Sequence, residues 1–301
     1  MRCLHPLNVS PYKNIKKFIQ VPCGRCPNCV KTKRDNLAFR LDAEHNSKDN
    51  LFSVFVTLTY DDDHLPTTIN DLTGEVFNYL SSDDIHNFFK YLRKLGKPYN
   101  FRFRYFLCGE YGDHFGRPHY HAIFFVKHIN DREPFQRVQQ LINSAWYRGF
   151  TSVQLPKNGF RAFNYVTKYV IKNSAFQLNE HYKDNKPFLR LSNHLGLASV
   201  ISHKFDPCSK LEFSDSSNRI HLLPRYYHRY IFDDVQLWKH QFYSKMFVTD
   251  QFIERCKRYL KTDSELQEFD WKIRVFDSLR NIRKSNFLIS DQFYFHNYEY
   301  L

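Results

Sequence analysis

The sequence predicts an α+β fold built around a central antiparallel sheet. Short runs rich in aromatic and β-branched residues are typical of strands, and the first of them is "LFSVFVTLTY", residues 51–60. Segments with apolar residues three and four positions apart lie between some of these runs and are typical of amphipathic helices. The order strand, helix, strand, strand, helix, strand is the β-α-β-β-α-β plan of ferredoxin-like, or RRM-like, domains, with the helices on one face of the sheet.

Local signals justify each element in turn. In chain order, the predicted elements are a strand over 51–60, a helix from residue 82 or 83 to 96, strands over 101–110 and 118–126, a helix from 134 and a strand over 150–155. Ser82 or Asp83 caps the first helix, and Gly96 ends it. Gly112 and Gly116 lie between the second and third strands, so these two strands are expected to form an antiparallel hairpin.

The rest of the chain divides into three predicted regions. An N-terminal cysteine-rich arm with a helix occupies 1–50, the α+β core occupies 51–177, and a mainly helical C-terminal region occupies 178–301. A further helix over about 160–173 belongs to the core. The helices expected in the C-terminal region cover 234–246, 250–260 and 263–283.

The composition favours a nucleic-acid partner. The 301 residues carry 44 Lys and Arg against 31 Asp and Glu, a formal charge of +13, and 18% of them are aromatic. Lys and Arg neutralise phosphates, while flat rings stack on unpaired bases. The alternative is a basic protein with no special partner. No apolar run approaches the ~20 residues of a membrane-spanning helix, and no secretory signal is evident, so a cytosolic location with reduced cysteines is expected.

Two histidines begin the third predicted strand, in "GRPHYHAIFF", residues 116–125. Residues two apart on a strand point to the same side, so His119 and His121 present both rings on one face. The predicted hairpin brings Glu110, at the end of the preceding strand, beside them. A carboxylate and two neutral imidazoles form a three-ligand site for a divalent cation, with open positions for water or substrate. The alternative is a pair of ordinary core or surface histidines.

A candidate nucleophile lies in "YVTKYVIK", residues 165–172, where the unit Tyr-Val-x-Lys occurs twice. On a helix, the four polar residues fall within an arc of about 100°, and they are Tyr165, Lys168, Tyr169 and Lys172. A free phenol has a pKa of roughly 10, so attack at neutral pH needs nearby positive charge from the lysines or the cation. The alternative is that the tyrosines form the solvated margin of an amphipathic helix.

Three motifs, in this order, resemble those of the HUH endonucleases that start rolling-circle DNA replication: "FVTLTY" (55–60), "PHYH" (118–121) and "YVTKYVIK" (165–172). The double tyrosine, together with "VPCGRCPNC" (21–29) and "LPRYY" (223–227), is similar to the replication initiators of microviruses, the small single-stranded-DNA phages. The chain length fits their gokushovirus-like branch. The resemblance covers about residues 1–230 and makes the predicted core an HUH endonuclease.

The resemblance implies a role for each matching position. His119 and His121 would hold Mg²⁺ or Mn²⁺ with Glu110 as third ligand, and the paired nucleophiles would be Tyr165 and Tyr169. One tyrosine would attack the origin phosphodiester, leaving a 5′-phosphotyrosyl bond and a free 3′-OH that a polymerase extends. The other would cleave the regenerated origin, and the released 3′-OH would close a circle.

Further expectations follow from the same resemblance. Lys168 and Lys172 match the lysine of the family's Tyr-x-x-Lys unit and would stabilise the developing charge, with Lys172 favoured. The substrate would be single-stranded or supercoiled circular phage DNA at its origin, in the host bacterial cytoplasm. No Gly-x-x-x-x-Gly-Lys-Ser/Thr phosphate loop occurs in the sequence, so a host helicase and DNA polymerase are expected partners. The segment "LSNHLGLASV", residues 191–200, departs from the glycine-rich segment expected after the tyrosines and receives no role.

Two rival functions stay open. A plasmid-type rolling-circle initiator or an HUH transposase would share the chemistry and act on different DNA. A non-catalytic single-stranded-DNA-binding protein would use only the sheet and the basic aromatic surface.

A cysteine cluster precedes the core. Cys3, Cys23, Cys26 and Cys29 suit a closed structural Zn²⁺ site that pins the N-terminal arm, with His5 as a substitute ligand. An iron–sulfur cluster and free cytosolic thiols are the alternatives.

A basic aromatic segment, "RYYHRY", covers residues 225–230. Arg225, Tyr226, Tyr227 and Arg229 are candidates for holding single-stranded DNA, because cations and rings alternate along it. The alternative is a tyrosine-rich strand or helix packed on the core.

Overall fold

The computed structural model describes residues 3–10, 19–69, 74–112, 116–156, 163, 166–167, 186–207, 209–214, 218–237, 239–241 and 244. The strands are β1 (Leu7–Val9), β2 (Ile19–Val21), β3 (Phe52–Tyr60), β4 (Thr67–Ile69), β5 (Val76–Asn78), β6 (Arg102–Tyr111), β7 (Pro118–His128), β8 (Gly149–Gln154), β9 (Leu189–Leu191), β10 (Glu212–Ser214) and β11 (Ile220–Leu222). The α-helices are α1 (Pro27–His45), α2 (Ser82–Gly96), α3 (Pro134–Ala145), α4 (Leu197–Ile201) and α5 (Arg225–Ile231), and Lys97–Tyr99 forms a 3-10 turn.

The central sheet has five antiparallel strands in the order β8-β3-β7-β6-β9. The aromatic and β-branched runs predicted as strands form β3, β6, β7 and β8, with ends shifted by at most two residues. The expected hairpin joins β6 to β7. The prediction of a mixed fold around a central antiparallel sheet is therefore confirmed. Strand β9 extends the β6 edge and was not predicted from the sequence.

Helices cover both faces of this sheet. On one face, Val56 and Phe124 belong to a large apolar cluster with residues of α2 and α3. On the other face, Ile123 and Phe125 pack in a second cluster whose further members include Leu37 and Leu41 of α1, Phe163 and Val166. The expectation of helices on one face only is corrected by α1. The physical reason is that "AIFFV" in β7 is apolar at consecutive positions, so both of its faces have to be covered.

The N-terminus of α2 differs from the prediction by one position. Ser81, rather than Ser82 or Asp83, is the N-cap, and its hydroxyl accepts a hydrogen bond from the Asp84 backbone N–H at 3.1 Å. The cap satisfies one of the free N–H groups of the first turn. The helix then ends at Gly96, as predicted.

The chain divides into two compact units, Met1–Phe205 with Leu211–Ile231, and Asp206–Lys210 with Phe232–Leu301. The cysteine-rich arm and the central sheet belong to the first unit. The boundaries predicted after residues 50 and 177 stay predictions. Of the predicted C-terminal helices, 250–260 and 263–283 lie outside the described residues, and 234–246 is described only in part. None of the described helices is both long enough and apolar enough to cross a membrane.

Candidate functional site

The three predicted metal ligands meet where β6 ends and β7 begins. Register pairs Glu110 with His119 across the hairpin, and His121 follows two residues later on the same side of β7. The Oε1 atom of Glu110 lies 2.8 Å from Nε2 of His119 and 3.1 Å from Nε2 of His121. The Glu110 side chain is buried, whereas the two imidazoles are partly exposed. The arrangement therefore presents its nitrogen atoms at the surface and fixes its carboxylate from below.

Contacts at the far side of each ring fix its orientation. Nδ1 of His119 lies 3.1 Å from the Arg117 carbonyl oxygen, and Nδ1 of His121 lies 3.2 Å from the Thr57 hydroxyl. When Nδ1–H is donated to these oxygens, Nε2 keeps its lone pair for a cation. Thr57 was not identified from the sequence as a site residue. Its signal is positional, since Thr57 pairs with His121 in the β3–β7 register.

The charge state of Glu110 suits a cation ligand. Burial opposes ionisation of this carboxyl group, but the hydrogen bonds and charges of His119 and His121 outweigh burial and lower the pKa of Glu110 to about 2. The carboxylate is therefore ionised at neutral pH, as a ligand for a hard divalent cation has to be.

The size of the three-atom cluster fits such a cation. The ligand atoms of Glu110, His119 and His121 all lie within 4.8 Å of one another. Neighbouring ligands of an octahedral ion bound at about 2.1 Å are separated by about 3.0 Å. The two Glu110–histidine distances, 2.8 and 3.1 Å, match that spacing. Imidazole and carboxylate donors also suit Mn²⁺, and Mg²⁺ accepts the carboxylate while retaining several waters.

The predicted nucleophiles lie outside the described residues, and so do the two lysines beside them: Tyr165, Tyr169, Lys168 and Lys172. Their described neighbours Phe163 and Val166 are buried in the second apolar cluster. The Phe163 ring centroid lies 6.2 Å from that of Phe55 and 6.4 Å from that of Phe125. Phe125 is an even number of residues from both histidines on β7, so Phe163 packs on the sheet face that carries them.

The four predicted zinc ligands also converge, and they are called the thiol cluster below: Cys3, Cys23, Cys26 and Cys29. The Cys3 sulfur lies 3.4 Å from that of Cys23 and 3.8 Å from that of Cys26. The sulfurs of Cys23 and Cys29 are 4.0 Å apart. Every sulfur in the cluster is within 4.8 Å of the others.

Backbone N–H groups and burial act differently on these thiols. The N–H of Leu4 donates to the Cys26 sulfur at 3.4 Å and, with smaller contributions from other donors, lowers the pKa of Cys26 to about 6. The N–H groups of Arg25 and Cys26 lower the pKa of Cys23. Burial and the adjacent sulfurs raise the pKa of Cys29 to about 12. Four thiolates this close repel one another unless a cation balances their charge.

The basic aromatic segment forms helix α5, and its rings have different environments. Tyr227 is fully buried, with its ring 5.8 Å from that of Phe39, so a DNA strand cannot reach it. The Tyr226 ring is only partly buried, and the guanidinium of Arg40 lies 3.9 Å from its centroid. Arg225 and Arg229 are exposed. A DNA contact by this segment stays a prediction for the exposed positions.

Comparison with known proteins gives matches of one kind. The sequence profile of a family described as replication-associated protein ORF2 matches residues 53–174. The replication-associated protein ORF2 of Spiroplasma virus 4 is 27% identical over 261 residues, which are 78% of this chain and 75% of that protein. The replication-associated protein ORF4 of Chlamydia phage 1 is 28% identical over 183 residues, covering 56% of this chain and 42% of that protein.

A third relative is the replication-associated protein VP4 of Bdellovibrio phage phiMH2K, 28% identical over 199 residues, or 58% of this chain and 59% of that protein. The matched segments thus span less than two thirds of the Chlamydia and Bdellovibrio phage proteins. No solved structure matches the chain significantly. The profile match begins one residue into β3 and includes both the metal-ligand cluster and the tyrosine pair in the sequence.

Proposed function

Because the chain is a microvirus-like replication initiator, we propose that it nicks single-stranded origin DNA by tyrosine attack and later rejoins the ends. The observation that carries the proposal is the convergence of Glu110, His119 and His121 on one point of the sheet surface. Phe163 and Val166 pack on the same face of the sheet, and the tyrosine pair is adjacent to them in the sequence.

A ferredoxin-like core of the HUH type is part of this proposal. The elements β3, α2, β6, β7, α3 and β8 follow one another in the β-α-β-β-α-β order. Strand β7 lies between β3 and β6, and β8 pairs with the outer side of β3. This split β-α-β arrangement supports the assignment. It also places the hairpin that carries the ligands in the middle of the sheet, where both neighbours hold it rigidly.

The first half of the reaction cuts the strand. Glu110, His119 and His121 hold Mg²⁺ or Mn²⁺, which when bound withdraws charge from a phosphate oxygen at the scissile bond. The phenolic oxygen of Tyr165 or Tyr169 attacks phosphorus, and the bond from phosphorus to the 3′ oxygen breaks. The electron pair leaves with that oxygen, which takes up a proton, and the phosphate stays on the tyrosine as a 5′-phosphotyrosyl ester.

The second half of the reaction joins the strand. After a polymerase has extended the free 3′-OH, the other tyrosine cleaves the regenerated origin in the same way. The newly released 3′-OH attacks the first phosphotyrosyl ester, closes a DNA circle and restores the first phenol. Lys168 and Lys172 supply positive charge to the phosphate in both halves. Two phenols about 5 to 6 Å apart on one helix face suit this alternation over one metal centre.

Other components are proposed on the same basis. The substrate is single-stranded or supercoiled circular phage DNA at its origin, a host helicase and DNA polymerase unwind and extend it, and the reaction takes place in the host bacterial cytoplasm. A plasmid initiator or transposase would be distinguished by its DNA, since only an origin strand of a phage would be cut here. A non-catalytic single-stranded-DNA binder would never form a covalent adduct.

Replacing both Tyr165 and Tyr169 with Phe tests the proposal. We expect origin nicking to fall at least about 1,000-fold, because no phenolic oxygen is left to attack. The measurement uses a labelled origin oligonucleotide with Mn²⁺ and counts both nicked product and covalent adduct on a denaturing gel. Each single variant should still form an adduct through the tyrosine that remains.

The matched control is Tyr91→Phe, which removes a phenolic oxygen from an exposed tyrosine of α2. It should nick as the wild type does. Undiminished nicking by the double variant would refute the tyrosine assignment. A wild-type protein that binds the oligonucleotide yet forms no adduct with either metal would favour the binder.

A further inference from the structure

The thiol cluster has the dimensions of a tetrahedral metal site. Zn²⁺ bound by four thiolates at about 2.3 Å keeps its sulfur ligands about 3.8 Å apart. The sulfur separations of 3.4, 3.8 and 4.0 Å all lie close to this tetrahedral edge. Four thiolates at these distances would repel one another, so the geometry calls for a cation at their centre.

Backbone groups around the cluster are arranged for thiolate ligands. The Cys23 N–H donates to the Cys3 sulfur at 3.3 Å, and the Cys26 N–H donates to the Cys23 sulfur at 3.3 Å. Such donors stabilise charged sulfur more strongly than a neutral thiol. Cys26 is also the N-cap of α1 and Cys29 lies in the first turn, where the helix dipole favours negative charge.

We propose that the thiol cluster binds one Zn²⁺ ion that fastens the N-terminal arm to the start of α1. The arm has little core of its own, because β1 and β2 contain three residues each and both Leu7 and Val9 are exposed. An isolated two-stranded hairpin is marginally stable in water. A metal tie supplies the constraint that apolar packing supplies elsewhere. The fastened helix is the one that covers the second face of the sheet.

The geometry argues against the other states of these cysteines. An iron–sulfur cluster would place several iron and sulfide ions among the thiolates and needs more room than four mutually adjacent sulfurs leave. A disulfide between Cys3 and Cys23 would remove two of the four ligands and leave the other N–H donors aimed at neutral sulfur.

Metal analysis of the purified full chain tests the proposal. We expect one zinc per chain in the wild type, and a loss of at least about tenfold in zinc affinity for Cys26→Ser, since it removes one thiolate ligand. The control is Cys108→Ala, which deletes a buried cysteine outside the cluster and should retain its zinc. Zinc bound equally by Cys26→Ser, iron in place of zinc, or a disulfide found by thiol counting would each overturn the proposal.

A cobalt spectrum keeps the test decisive if the variant folds poorly. Co²⁺ replacing zinc in the wild-type chain should give the intense visible bands and sulfur-to-metal charge transfer of tetrahedral thiolate coordination. Titrating zinc back should remove those bands. Weak octahedral bands alone would mean that cobalt occupies only the Glu110 site, and the zinc proposal would then fail.

A second observation concerns Phe150, whose ring is 71% exposed. Register places one residue of each strand in a single row across the sheet, and the row is Phe150, Thr59, His119 and Glu110. Neighbouring strands are about 4.8 Å apart, so Phe150 lies about 10 Å from His119 on the same face. The other outward positions of β8, Ser152 and Gln154, are polar.

We infer that Phe150 stacks on a base of the single DNA strand that enters the metal centre, an inference that rests on the proposed function. A large exposed apolar ring on an otherwise polar strand of a monomer calls for a partner with an apolar face. An unpaired base has such a face, and stacking tolerates any sequence. The chain's charge of +13 favours a strand carrying phosphates over an apolar protein surface.

Binding of labelled oligo-dT in EDTA, where no cleavage occurs, tests this inference. Phe150→Leu should weaken binding about tenfold, whereas Phe150→Trp should bind within about twofold of the wild type, because stacking needs an aromatic face. The control is Leu51→Ala, which alters an exposed apolar side chain just before β3, at the other end of the sheet. It should bind as the wild type does.

The outcomes separate this inference from the function on which it rests. Wild-type nicking together with equal affinity of Phe150→Leu would overturn the stacking role alone. An absence of any wild-type adduct would overturn the proposed function, and a tenfold loss in Phe150→Leu would still support stacking in a binding protein.

Discussion

Replacing Glu110 with Gln is expected to lower origin nicking by at least about 100-fold while the fold is kept. Glutamine has the shape of glutamate, and the pocket beneath the histidines therefore stays filled. It lacks the negative charge that a divalent cation requires from its buried ligand. The two imidazoles alone then bind Mn²⁺ too weakly to position a phosphate.

Thermal unfolding with and without Mn²⁺ measures the metal step separately from catalysis. At 100 times its Kd, a cation stabilises the folded state by about 2.7 kcal/mol, which raises the Tm by roughly 5 to 10 °C in a domain of this size. The wild type should show this rise, and Glu110→Gln should lose it. Glu133→Gln, which alters an exposed carboxylate, should keep both the rise and the nicking. A Glu110→Gln protein that retains the Mn²⁺-dependent rise would show that Glu110 is not a ligand.

The parts of this site that depend on local chain geometry were predictable from the sequence. A hairpin with a short connection fixes its own register, so the pairing of Glu110 with His119 followed from two strand assignments and the glycines between them. The same-face placement of His119 and His121 follows from the two-residue period of any strand.

Features set by distant contacts were not predictable in this way. The burial of Tyr227 depends on Phe39, which is far away in the sequence. The position of α1 over the second face of the sheet depends on apolar residues of β6 and β7 that only the folded sheet brings together. No local pattern in a single sequence records such pairings, because each partner is an ordinary residue for its own element.

Glu44 is the clearest example of a residue whose importance no sequence pattern indicated. It lies within α1 and is fully buried. Its carboxylate oxygens lie 2.6 Å from Nζ of Lys127 and 3.0 Å from Nη1 of Arg104, and they accept a hydrogen bond from the Gly196 N–H at 2.6 Å. One carboxylate thus connects α1 with β6, β7 and the segment before α4.

Glu44→Gln is therefore expected to lower the free energy of unfolding by on the order of 3 kcal/mol, because removing one partner leaves two half-buried cations without their counter-charge. Urea denaturation followed by circular dichroism gives this quantity directly. Asp35→Asn is the matched control, since it breaks a more exposed ion pair with Arg34 on the same helix and should cost less than about 1 kcal/mol.

Ionic strength provides the second test of this network. Salt screens exposed pairs strongly and buried pairs weakly, so the difference between Glu44→Gln and the wild type should persist at about 1 M salt while the small effect of Asp35→Asn disappears. Equal costs for the two variants would mean that Lys127 and Arg104 find other partners when Glu44 loses its charge. Because α1 covers the sheet face that carries the histidines, a loosened α1 should also lower nicking, and it should do so without changing the Mn²⁺ concentration that the reaction requires.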